Sequence, residues 1–190
     1  MIAIGFSGLS LVAMLAGALV FAGEPSAKGF DKVLNFGKVS FRVQSLNNSS
    51  LNKVTITSKG ISDSKPLVVE ADGTVVDAQI DDLDGNGYPE VYISVMSAGS
   101  GSYGSLIAYA SNRNKSISPI YLSELTKKQL KGYMVHDTFA PVEGSFVRQF
   151  PLYQKSDTNA NPTGKTRQIQ YRLKSGEAGW KLVAYKTLEY

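Results

Sequence analysis

Apolar residues alternate with polar ones in stretch after stretch of this chain, and that period of two limits its fold more than any other feature. Val39, Phe41 and Val43 alternate with Ser40, Arg42 and Gln44, and Val54 and Ile56 with Lys53, Thr55 and Thr57. The pattern returns at Val76, Ala78 and Ile80, at Val91, Ile93 and Val95, at Ile169, Tyr171 and Leu173, and at Trp180, Leu182 and Ala184. Strand side chains point to opposite faces in turn, so each stretch predicts a strand with one buried face. The breaks carry turn chemistry: Asn47-Asn48-Ser49-Ser50, Asp72-Gly73, Asp84-Gly85-Asn86-Gly87, Glu143-Gly144, Asn161-Pro162 with Gly164, and Ser175-Gly176. Asp72-Gly73, between Leu67–Ala71 and Thr74–Ile80, reads as the clearest hairpin. Only Ser123 to Leu130 reads as a helix, with Ser123 as its N-cap and Leu125 and Leu130 toward the core. The prediction is all-β: an antiparallel β-sandwich, with a barrel as the alternative, and at most one short helix.

A length of 190 residues with 43% apolar content suits a single domain and excludes global disorder. Residues 1–22 carry no charge, and Val20-Phe21-Ala22 has the form of a signal-peptide cleavage site. The expected organisation is a signal peptide over 1–22 and one β domain over 23–190. A membrane anchor and a buried core helix are the competing readings of the same segment. No later apolar run is long enough to span a bilayer, so export to the periplasm is expected. The absence of cysteine excludes disulfides, thiolate metal sites and a cysteine nucleophile. The net charge is +4, but eight carboxylates between Asp63 and Glu90 face Lys65 alone. Apart from Lys127-Lys128, the basic residues elsewhere are scattered singly, which fits a solvated surface and not a nucleic-acid footprint.

Three constellations could carry chemistry. In Asp82-Leu83-Asp84-Gly85-Asn86-Gly87-Tyr88-Pro89-Glu90, oxygen donors recur at alternate positions, as a hard cation such as calcium requires. Asp82, Asp84 and Asn86 would supply side-chain oxygens, Tyr88 a carbonyl and Glu90 the ninth-position ligand. The twelfth position, a bidentate glutamate in an EF-hand, is Ile93 here. A metal-free Asx-rich turn explains the same residues.

The second constellation is Ser97-Ala98-Gly99-Ser100-Gly101-Ser102-Tyr103-Gly104. It is thin, rich in hydroxyls and ends on one large ring, so it could enter a narrow cleft. No helix follows to make a phosphate cradle, and Ala98 and Ser102 replace the glycines of a G-x-S-x-G nucleophile elbow. A plain hairpin loop is the alternative. The third, Lys131 to Phe139, holds His136, the only histidine, beside Asp137. Neighbours on a strand face opposite ways, so a structural His136 is expected in preference to a triad.

The segments DLDGNGYPEVYI, SAGSGSYGSLIAYA, KGYMVHDTFAPVEGSFVRQFPLY and NPTGKTRQIQYRL, in that order, resemble the periplasmic inhibitors of invertebrate-type lysozyme. The resemblance runs from about Val76 to Trp180. It implies an exported β-sandwich without enzymatic activity or required cofactor, which blocks a lysozyme's glycan cleft by inserting a loop. Ser100 and Tyr103 would be the inserted residues, with Gly99, Gly101 and Ser102 shaping the loop and Tyr133, His136 and Asp137 supporting it. The chemistry agrees: lysozymes cleave with two carboxyl groups, and a serine hydroxyl can donate to one and accept from the other. A calcium-dependent binding or adhesion module is the second reading, and a hydrolase built on Ser100 and His136 the third. A homodimer stays open at this point.

Overall fold

The computed structural model describes residues 29–99, 102–177 and 179–190. The leader with its cleavage point, and Ser100 and Gly101, lie outside the described residues. Among the described residues no helix is long and apolar enough to cross a membrane.

Two sheets account for the domain. The first is an antiparallel meander of β1 (Phe30–Phe36), β2 (Val39–Ser45), β3 (Leu51–Lys59) and β4 (Leu67–Asp72). The second holds β5 (Thr74–Asp81), β6 (Glu90–Met96), β7 (Gly104–Asn112), β8 (Ser116–Leu122), β9 (Thr138–Val142), β10 (Ser145–Pro151), β11 (Thr166–Gly176) and β12 (Gly179–Glu189). Its spatial order is β5-β6-β7-β8-β12-β11-β10-β9. The pairing is antiparallel except between β8 and β12, which run parallel with Trp180 opposite Ile120. The two outer strands approach each other, and Gln79 Nε2 donates to the Phe139 carbonyl oxygen at 3.4 Å. The second sheet is thus nearly closed and barrel-like, so sandwich and barrel features coexist in one all-β fold.

The alternation explains two cores. Val39, Phe41 and Val43 of β2 and Val54 and Ile56 of β3 pack against Val75, Ala78, Val91, Ile93 and Val95. Inside the barrel, Tyr92, Phe139, Phe146, Phe150, Ile169, Tyr171 and Leu182 form the second cluster. Tyr92 and Phe146 stack there with ring centroids 4.6 Å apart. Strand β6 is buried on both faces, which is why its sequence is apolar almost without interruption.

Three local expectations are corrected. Asp72-Gly73 is no hairpin: β4 pairs with β3, β5 pairs with β6, and the chain changes sheets at Gly73. Gly73 has φ +127°, and a side chain there would collide with the Met96 carbonyl, so only glycine passes. The corner is held by Asn47, whose amide donates to Val75 O at 2.9 Å and accepts from Val75 N at 3.0 Å. In β5 a bulge between Val75 and Asp77 shifts the phase. Val75 is therefore buried in place of Val76, which is 48% exposed.

The helix is also shorter than expected. It covers Lys127–Leu130, with Thr126 as N-cap and Gln129 completing a capping box. Ser123 Oγ instead donates to the Leu182 carbonyl, which fixes it beside β12. Leu125 packs against the barrel core as expected, whereas Leu130 is 46% exposed.

Candidate functional site

The loop from Ser97 to Tyr103 joins β6 to β7, and its two feet are tied together. Ser97 N donates to Tyr103 O at 2.9 Å, and Tyr103 N donates to Ser97 Oγ at 2.9 Å. Ser102 N reaches Gly99 O at 3.3 Å, and His136 N reaches Ser102 O at 3.3 Å. The Tyr103 side chain stands 53% exposed at the end of this loop. Its ring meets Tyr133, centroid to centroid at 6.4 Å and tilted by 56°.

Below the loop lies a polar cluster inside the barrel mouth. Asp137 is fully buried. One of its oxygens accepts from Arg148 Nε at 2.6 Å; the other accepts from the Tyr133 hydroxyl at 2.6 Å and from Gly104 N at 3.0 Å. Arg148 Nη2 also donates to the Tyr133 hydroxyl at 3.3 Å. The guanidinium lies over the rings of Tyr133, Phe139 and Phe150 at 5.4–5.6 Å. Burial and the hydrogen bond to Asp137 push the Tyr133 hydroxyl's pKa up, so it stays a donor. Burial pulls Arg148 down, but the hydrogen bond and charge of Asp137 outweigh it and the net shift is upward.

Gly104 completes the cluster. A Cβ there would stand 2.5 Å from Asp137 Cβ and 2.8 Å from Phe139 Cε2. The loop's exit strand can therefore lie against Asp137 only because residue 104 has no side chain.

The structure brings together Ser102, Tyr103, Tyr133, Asp137 and the His136 backbone. It keeps the His136 ring apart from Asp137. The segment between α1 and β9 is irregular at this point, and His136 Nε2 sits 2.8 Å from Asn159 O while Asp137 turns inward. No hydrolytic pair forms between them. The residue that sequence reasoning missed is Arg148. Phe146, Arg148 and Phe150 alternate in register along β10, which places an arginine on an apolar, inward face. That mismatch is a signal: an arginine at such a position needs a buried acid.

The acidic loop between β5 and β6 forms the other candidate. Asp82 accepts from Asn86 N at 2.9 Å and Gly87 N at 2.7 Å, Asp84 from Asn86 N at 3.2 Å, and Asn86 Oδ1 from Tyr88 N at 2.8 Å. These Asx bonds close the turn by themselves. Glu90 is only 1% exposed and accepts from Leu83 N at 2.8 Å and, more weakly, from the Tyr92 hydroxyl at 3.4 Å. Burial first, then the Asp84 and Asp82 charges, push its pKa up to about 8. One carboxylate oxygen from each of Asp82, Asp84 and Glu90 lies within 4.8 Å of the others, a spacing a single cation can span. Ile93 at the twelfth position is fully buried, so it contributes no oxygen.

Comparisons with known protein families, with characterised proteins and with solved structures each find no match to this chain.

Proposed function

We propose that this protein is a periplasmic inhibitor of invertebrate-type lysozyme and that it blocks the glycan cleft with its 99–104 loop, protecting peptidoglycan. The observation that carries the reading is the exposed Tyr103 on a loop whose feet are tied to each other and whose exit at Gly104 is held by a buried polar cluster. The bonds at Ser97 and Gly104 hold Tyr103 in place before binding, so less freedom is lost there when its contacts form. Tyr103 offers a wide ring with a polar tip, the type of side chain that anchors interfaces. The hydroxyls of Ser100 and Ser102 suit a cleft lined by two carboxyl groups, where charge-assisted hydrogen bonds are the stronger ones. On this reading the protein acts by binding alone, and the engagement of His136 by Asn159 O and of Asp137 by Arg148 supports a structural role for both.

The test is a titration of peptidoglycan lysis by several lysozyme types, with the protein added in increasing amounts. Stoichiometric slowing of at least one type, in the presence of a chelator, is expected. Absence of slowing across all types overturns the reading.

A second reading, a calcium-dependent binding module, draws on the close carboxylates of Asp82, Asp84 and Glu90. It requires partner binding to vanish when calcium is chelated, whereas the inhibitor requires no calcium.

A further inference from the structure

The far end of β6 and β7 carries a groove that the 97–103 loop does not approach. Register places Met96 opposite Gly104 at the loop end and Glu90 opposite Ala110 at the other. Seven residues of strand separate the two ends by roughly 20 Å. At this second end the groove has a volume of about 710 Å³, within the range of roughly 300–1,000 Å³ usual for small-molecule sites. Its walls come from three places: Asp84, Asn86 and Tyr88 of the β5–β6 turn, Asn112 at the end of β7 with Arg113 beyond it, and Trp180 at the start of β12.

We propose that this groove binds a saccharide. A pyranose presents an apolar C–H face and a rim of hydroxyls, and the groove offers a counterpart to each. Trp180 is half-buried against the barrel core, and its indole Nε1 donates to Asn112 Oδ1 at 3.3 Å, which fixes the ring's orientation. Tyr88 adds a second ring, with a polar tip. Among the described residues, the Tyr88 hydroxyl and the Arg113 guanidinium have no hydrogen-bond partner, so both remain available as donors. One carboxylate and one guanidinium balance the charge of the lining, which favours a neutral polyhydroxylated ligand over an anion or a cation.

The groove is already built. Ser111 N donates to Pro89 O at 3.0 Å, which joins the first two walls. The Asn112 amide is held by Ser116 Oγ at 3.1 Å and Ser118 Oγ at 2.7 Å. A preformed site of this sort spends little free energy on ordering itself.

Trp180 is the chain's only tryptophan, so its emission reads the groove directly. The experiment titrates the intact protein with trisaccharides of glucose, galactose and N-acetylglucosamine under tryptophan-selective excitation. A saturable emission change with at least one of them is expected. Tyr88→Ala and Arg113→Gln should each weaken that binding about tenfold or more. Thermal melts accompany both variants, and Arg113→Gln carries the test if Tyr88→Ala fails to fold. Lysozyme inhibition should be the same in the variants as in the unaltered protein, since the loop is at the other end. No saturable change with any trisaccharide overturns the proposal, as does binding that both folded variants retain in full.

Discussion

Arg148 Nε stands 2.6 Å from Asp137 Oδ1 in the barrel mouth, and the other oxygen of that carboxylate holds the first residue of β7 and the Tyr133 hydroxyl. The pair therefore links strand β10 to the foot of the exposed loop. Removing one partner leaves a buried charge uncompensated. Arg148→Met should cost about 3–5 kcal/mol of stability. Adding Asp137→Asn to it should recover part of the loss, because no lone charge remains. Urea unfolding of the two variants beside the unaltered protein measures both effects, and a double variant no more stable than Arg148→Met alone would contradict the ion-pair account.

Gly104→Ala should disturb the same foot by a different route. Its Cβ would press on Asp137 Cβ and Phe139 Cε2, and relieving such overpacking costs about 1–3 kcal/mol. The strand must shift away from Asp137, taking Tyr103 with it. Lower melting temperature together with weaker lysozyme inhibition is expected. An unchanged melt would mean the strand has slack that the contacts do not suggest.

Tyr103→Ala and Ser100→Ala test the loop itself. Tyr103 is exposed, so the melt of Tyr103→Ala should barely change while inhibition weakens by about 2 kcal/mol or more. Ser100→Ala should leave a lysozyme carboxyl group short of a partner, at about 1–3 kcal/mol. Full inhibition by the double variant would sink loop insertion as the mechanism.

Glu90 predicts a pH dependence. Burial raises its pKa from 4.5 to about 8 in the folded protein. The folded state then holds a proton that the unfolded state releases between those values. This contribution to stability is fully present below about 4.5 and is lost as pH rises through about 8. With chelator present, unfolding free energy should fall over that window by an amount on the order of a few kcal/mol. Glu90→Gln, which cannot ionise and still accepts from Leu83 N, should flatten the profile. A profile in Glu90→Gln as steep as the original would assign the dependence elsewhere.

Calcium should raise the melting temperature at millimolar concentration, because an ion bound only by the folded state stabilises it by mass action. Asp82→Asn should remove the rise. The missing oxygen at Ile93 keeps the effect small. A melt that is insensitive to calcium leaves the loop as a turn closed by its own Asx bonds.

Much of the fold was legible because alternation is a local property. The faces of β2, β3 and β6 follow directly from Val39, Phe41, Val43, Val54, Ile56, Val91, Ile93 and Val95. What was not legible depends on distant partners. Asp72-Gly73 has hairpin chemistry, yet Asn47 and the Met96 carbonyl turn it into a passage between sheets. The bulge at Val76 reverses a face without leaving any mark in the composition. For the site, the loop was visible through its glycines and serines. The Asp137–Arg148 cluster was only half visible, because Arg148 shows itself only once the inward register of Phe146 and Phe150 is known.

The parallel seam between β8 and β12 sets an order of events during synthesis. Strands β5 to β8 and strands β9 to β11 can each zip with sequence neighbours as they leave the ribosome, and β12 is the strand that pairs in the sheet with a member of each group, β8 and β11. Until β12 emerges, Phe146, Phe150, Ile169 and Tyr171 have only half of their eventual enclosure. A nascent chain stalled before Gly179 would thus hold two sticky half-barrels, the kind of intermediate that aggregates or recruits chaperones. Closing the seam joins residues about 60 apart in sequence, so it is also the slow, entropically costly step of folding.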